Sequence, residues 1–383
     1  MSIYLDYNAT SPVDPRVLET MIDVYKNHYG NADSRTHDFG EGARKIVETA
    51  RGQVAGLIGV QPDEVIFTSG ATESNNMILL GLQEYGIRTN RRHIITTAIE
   101  HKAVLEAAKH LEKVGFDIEY ISPDLSGRVC AQEVLRRIRQ DTLLVSVMHV
   151  NNETGIIQPV QEIGEALSET DILFHTDATQ SCGKLVEEIR ALPYDAMSIA
   201  AHKLYGPQGI GALVLRKKGY QYPPVKPLLF GGSQEHGMRP GTTPVALVAG
   251  FGKACALAAG EYKQALEHYR QTKDALLRIL SVSGIHYRIN GDPLYAMPNT
   301  LNVSLRGVSS EALMIATKQY CGISNGSACT SRSYRMSYVL SSMGIPEEDA
   351  ESAIRISWGT DANLHDVEDS FRSLIAVAKE MAI

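Results

Sequence analysis

From about residue 65 onward, short runs rich in Val, Ile and Leu alternate with amphipathic stretches, and few folds accommodate that alternation. "EVIFTS", "RRHIITTA", "FDIEYIS", "TLLVSVMHV", "ILFHTDA", "DAMSIAA" and "IGALVLR" read as strands. Between them, "ATESNNMILLGLQEY", "HKAVLEAAKHLEKVG" and "VQEIGEALSE" read as helices. Strands this apolar lack a solvent face, so the pattern predicts an α/β protein whose mostly parallel seven-stranded sheet is covered by helices on both sides. After about residue 260 the rhythm changes. "GEYKQALEHYRQTKDALLRILSV" predicts a long amphipathic helix that connects two units. Beyond it, "NTLNVSL", a helix in "SSEALMIATKQY", a loop around Cys329, "SAIRISW" and a terminal helix predict a smaller α+β unit. We therefore expect a large domain over residues 15–260, and a small domain over 1–14 and 261–383 that carries the Cys329 loop.

Charge and cysteine usage narrow the function. The 37 Lys and Arg against 44 Asp and Glu give a net charge of −7, no footprint for nucleic acid or an anionic membrane. No unbroken apolar run approaches the roughly 20 residues needed to span a bilayer. The start "MSIYLDYNAT" lacks the basic and apolar regions of a signal peptide, so a cytoplasmic location is expected. Five cysteines (Cys130, Cys182, Cys255, Cys321 and Cys329) make neither a disulfide framework nor a close metal cluster.

Several residues at strand ends invite a chemical reading. Lys203 stands between the apolar run "DAMSIAA" and the glycine-rich "YGPQG". Most lysines are solvated, but a desolvated amine is a nucleophile suited to a Schiff base. Asp177 ends "ILFHTD"; it reads equally as a helix cap or turn residue, or as a carboxylate at a parallel strand's carboxyl end, where open α/β sheets bind ligands. Gly70, Ala71 and Thr72 open a helix whose N–H groups and dipole favour phosphate, although small residues at such turns are common. His101 reads as a cap or as an imidazole facing a ring, and Asn152, Glu153 and Gln180 fall near the same sheet edge. An amine, a carboxylate, a phosphate cradle and a stacking imidazole together match what pyridoxal 5′-phosphate (PLP) needs from a protein.

The chain resembles the class I (NifS/IscS-like) cysteine desulfurases, which have the type I PLP-dependent transferase fold. "YLDYNAT", "GNADSRTHDFG", "FTSGATESNN", "HVNNETG", "DATQ", "HKLYGPQGIGAL", "MRPGT", "SNGSACTS" and "IRISWG" carry the resemblance, in order and over nearly the whole length. It implies that Lys203 bears the cofactor, Asp177 holds the pyridine nitrogen and Gln180 the phenolic oxygen. It further implies that His101 stacks on the ring and moves protons, and that Ala71, Thr72 and His202 meet the phosphate. Thr242 would reach the phosphate of a neighbouring subunit, which implies a homodimer. Asn152 and Arg355 would hold the substrate carboxylate; Arg suits that role because its planar fork matches a carboxylate. Cys329, in the small and polar run "SNGSACTSRSYRMS", corresponds to the family nucleophile, on a segment read as a mobile loop. No resident metal is expected, although Cys329 could transiently ligate an iron–sulfur cluster. The implied reaction converts L-cysteine to L-alanine and passes sulfur through a Cys329 persulfide to an acceptor protein.

Two departures qualify the resemblance. Ala200 stands where the family usually has a serine that donates to the phosphate. One helix follows "IRISWGT", whereas housekeeping members continue into a tail that docks the iron–sulfur scaffold. That leaves a dedicated system, such as nucleic-acid thiolation or DNA phosphorothioation, open beside iron–sulfur cluster assembly. Selenocysteine lyase, another PLP lyase or aminotransferase, and a sulfur-carrier subunit active only in complex are the competing readings.

Overall fold

The computed structural model describes residues 2–326 and 336–382. Its strands are β1 (Ile3–Tyr4), β2 (Val65–Thr68), β3 (His93–Thr97), β4 (Asp117–Ile121), β5 (Thr142–Ser146), β6 (Leu173–Asp177), β7 (Ala196–Ala200), β8 (Gly211–Leu215), β9 (Tyr287–Ile289), β10 (Thr300–Leu305), β11 (Cys321–Gly322) and β12 (Ala353–Ser357). The seven runs read as strands become β2 to β8 and form one sheet in the order β2-β8-β7-β6-β5-β3-β4. Only β8 runs against its neighbours, so the sheet is mostly parallel as expected. Six of the strands are apolar and almost wholly buried, as a sheet covered on both faces requires. The edge strand β4 instead exposes Asp117 and half-exposes Glu119, charges that discourage pairing with another chain.

A second core lies on the three-stranded antiparallel sheet β12-β10-β9, where Trp358, Phe371 and Leu5 are fully buried. The N-terminal strand β1 pairs in parallel with β11. Residues 5–11 then run from this second core to the main sheet's carboxyl edge, where Ser11 N–H donates to the His202 carbonyl at 2.8 Å.

Three features depart from the sequence reading. The connector helix spans Val245–Ser283 and begins well before Gly260, because Gly252 fits directly against the helix Asp38–Ile58. By length and composition this helix resembles a membrane span, but Val248, Phe251 and Cys255 in its apolar half are packed in the protein core. The segment read as one helix from Ala71 breaks into Ala71–Gly81 and Gln83–Thr89. There the Gly81 carbonyl accepts from Lys226 N–H at 2.9 Å instead of continuing the helix. Finally, Pro15–Asn27 and Asp38–Ile58 are helices that precede the region the alternation reaches.

Candidate active site

The strands β2, β3, β5, β6 and β7 release their chains at one sheet edge, and a cavity of about 540 Å³ opens there. Ala71, Thr72, His101, Asn152, Asp177, Gln180, His202, Lys203 and Arg355 all line it. Thr242 does not; it is exposed in the segment before Val245. Cys329 lies outside the described residues. Ala200 is buried as the last residue of β7 and is absent from the cavity wall.

Lys203 ends a short 3₁₀ turn that follows β7 directly, which turns its side chain from sheet to cavity. Its Nζ donates to the carbonyls of Asn8 and Ala9. Gln180 Nε2 donates to the same Asn8 carbonyl at 2.9 Å. Asp177 is buried at the end of β6, with both oxygens held: Oδ2 accepts from Asn75 Nδ2 at 2.7 Å and Oδ1 from Thr179 N–H at 3.0 Å. Beneath it, His175 is fully buried between Ser146 and Ser198, and burial pushes its pKa down to about 4, so it stays neutral.

Asn75 belongs to the helix Ala71–Gly81, whose N-cap, Gly70, has a φ of 151° and no side chain to bond the first N–H groups. One helix therefore orients the carboxylate and offers a bare N-terminus to an anion. His202 flanks the cavity, and its Nδ1 lies 3.1 Å from Thr10 Oγ1. Burial, then Lys203 and Lys184, lower its pKa to about 4, so the ring is uncharged. His101 caps the helix Lys102–Lys113, Nδ1 accepting from Ala103 N–H at 3.1 Å. The capping and cavity positions weighed for His101 are thus compatible, whereas Asp177 caps no helix among the described residues and instead holds the turn at Thr179.

Arg355, on β12, is 1% exposed and enters from the second core. Its Nη1 donates to the Asn152 carbonyl at 2.9 Å and its Nη2 to Asp6 Oδ1 at 2.6 Å. Asp6, Asn8, Thr10, Asn75 and Lys184 are partners that the sequence reading did not assign. The run "YLDYNAT" is one of the motifs of the resemblance, but nothing local says what it touches. Lys184 is buried and donates to the carbonyls of Gln180 and Lys203, both at 3.0 Å. Burial lowers its pKa to about 8.

These residues fit a PLP-sized ligand. Gln180 Oε1, Asn152 Oδ1, Thr179 Oγ1 and Arg355 Nε are buried cavity-wall atoms with no hydrogen-bond partner among the described residues. Buried polar atoms are rarely left so, and four around one hollow mark a site built for a polar guest. An amine, a fixed carboxylate and an uncapped helix N-terminus supply the donor set such a guest requires.

The chain belongs to the aminotransferase class-V family, which matches it over residues 3–369, and its cofactor is pyridoxal 5′-phosphate. It is 42% identical to cysteine desulfurase IscS of Neisseria meningitidis serogroup C, over 99% of this chain and 94% of that protein. Among solved structures, a NifS-like protein superposes with a TM-score of 0.91 at 36% identity, covering 99% of this chain and 100% of its own. DndA from Streptomyces lividans superposes with a TM-score of 0.81 at 42% identity, over 93% of this chain and 99% of its own.

Proposed function

We propose that the chain is a PLP-dependent cysteine desulfurase that converts L-cysteine to L-alanine and retains the sulfur as a persulfide on Cys329. The observation that carries the reading is the gathering of Lys203, Asp177, Gln180, His202, Asn152 and Arg355 around one cavity. The similarity to IscS supports it. In this reading residues 15–260 hold the cofactor, and residues 1–14 with 261–383 supply Arg355 and Cys329.

Lys203 would carry the cofactor, Asp177 would hold its ring nitrogen and Gln180 its phenolic oxygen. His101 would cover the ring, and Ala71, Thr72 and His202 would receive the phosphate. When bound, the cofactor supplies an electron sink for the bonds at the substrate's α and β carbons. Asn152 and Arg355 orient the substrate by its carboxylate, which fixes the α and β carbons relative to Lys203. The Lys203 amine moves a proton at the α carbon, with the Asn8 and Ala9 carbonyls to hold its ammonium form. Because His101 Nδ1 accepts from the backbone, the neutral ring carries its proton at Nε2 and acts toward its surroundings as a donor.

The Cys329 thiolate attacks the substrate sulfur. The C–S bond breaks, its electron pair stays with the β carbon, which takes up a proton, and alanine leaves. An acceptor protein then takes the persulfide sulfur, for iron–sulfur cluster assembly or for nucleic-acid thiolation such as DNA phosphorothioation. Thr242 completes the phosphate site of a second subunit in a homodimer. A cytoplasmic location belongs to the same reading, and the unpaired state of Cys130, Cys182, Cys255 and Cys321 suits a reducing compartment.

Two variants test the assignment. Lys203→Ala should abolish the visible absorption of the bound cofactor together with turnover. Cys329→Ala should keep that absorption and lose persulfide and sulfide formation from L-cysteine. Full desulfurase activity in either variant would overturn the corresponding role.

A further inference from the structure

The guanidinium assigned to the substrate carboxylate already has a carboxylate on it. Arg355 and Asp6 meet at 2.6 Å, with side chains 1% and 16% exposed. The Asp6 backbone is pinned beside Arg355: its carbonyl accepts from Ala9 N–H at 2.9 Å and from Tyr4 Oη at 2.9 Å, and it bridges to Ser357 on β12. Arg355 Nη1 is taken by the Asn152 carbonyl, while Nε has no partner among the described residues. The guanidinium is thus half committed, one edge to Asp6 and Asn152, with a buried donor still unused.

We propose that Asp6 is a built-in competitor for the substrate carboxylate: it holds Arg355 in place when the cavity is empty and limits how tightly Arg355 grips an amino acid when it is full. A buried guanidinium without a counter-ion is unfavourable, so some anion must stand by it before substrate arrives. Once a second carboxylate approaches, the two anions share one cation and repel each other at short range. Substrate and product carry the same carboxylate, so a tighter grip would hold alanine as firmly as cysteine and slow its departure. Asp6 is therefore a positioning residue that trades affinity for release. This inference rests on the proposed role of Arg355.

The experiment uses the PLP-loaded, full-length protein and L-alanine as the probe. Binding is read from the change in visible absorption and, independently, by calorimetry. Asp6→Asn should bind L-alanine about three- to tenfold more tightly than wild type, the size expected when one close like charge is removed. KM for L-cysteine should fall in parallel, and kcat should stay level or drop. Asp6→Glu, which restores the charge, should bind close to wild type.

Loss of a merely structural residue would loosen binding, so a Kd that rises or stays unchanged in a folded Asp6→Asn protein overturns the proposal. Should Asp6→Asn fail to fold, Asp6→Ser tests the same charge. Arg355→Lys separates this failure from failure of the underlying reading. If it binds L-alanine as tightly as wild type, Arg355 does not hold the carboxylate, and both claims fall. If it binds weakly while Asp6→Asn does not tighten, only the role of Asp6 is lost.

Discussion

Glu100 shows how a single buried group near the site sets a measurable pH response. It precedes His101, is fully buried, and its Oε1 accepts from Thr97 Oγ1 and Met148 N–H, both at 2.8 Å. Its Oε2 has no partner among the described residues. Burial raises its pKa from 4.5 to about 8, so the folded protein keeps it protonated at neutral pH. A folded pKa above the unfolded one contributes stability that is complete below pH 4.5 and is lost as pH rises through about 8. Glu100→Gln keeps the shape and removes the charge. Its melting temperature relative to wild type should therefore climb as pH rises from 4.5 to about 8 and level off above that. Parallel melting curves across that range would mean that the folded carboxyl ionises normally.

At the scale of elements, the fit between the helices Asp38–Ile58 and Val245–Ser283 positions the sheet's outer layer. A Cβ on Gly252 would come within 2.5 Å of Ala50 Cα, so backbone meets backbone and neither helix can yield cheaply. Alanine normally gains about 1 kcal/mol over glycine inside a helix. Here overpacking reverses the sign, and Gly252→Ala should destabilise by about 2 kcal/mol. Gly260, in the same helix, faces open space. Gly260→Ala should therefore stabilise by up to about 1 kcal/mol. Urea midpoints of the two variants, moving in opposite directions, would separate packing from helix propensity; movement in the same direction would refute the close contact. The same contrast explains the misread start of this helix. Its glycines look like breaks in a linear pattern, while in the fold one of them is the contact.

For the molecule as a whole, acid sensitivity should come from its desolvated histidines. His149, fully buried beside Ser181, and His175 and His202 all have pKa values pushed down to about 4 from 6.5, chiefly by burial. Their depressed folded pKa values contribute stability that is present above pH 6.5 and is lost as pH falls toward about 4. Equilibrium denaturation should show the protein weakening between those limits, with unfolding accompanied by proton uptake. A flat profile there would mean that the folded state accepts these protons without cost.

Read alone, the amino-acid order determined the class of fold and most of the cavity wall. Strands so rich in Val, Ile and Leu are buried on both faces away from the sheet's edge, and the carboxyl ends of such strands are where Asp177, Asn152 and Lys203 emerge. What it left undecided was the set of partners that hold those residues. Asn75 meets Asp177 across 102 positions, Asn8 meets Gln180 across 172, and Asp6 meets Arg355 across 349. Periodicity reports which face of its own element a residue occupies, and carries nothing about a segment arriving from another core. Those contacts exist only once both cores are packed and the N-terminal segment lies between them, so the charge balance at Arg355 was decided by tertiary structure.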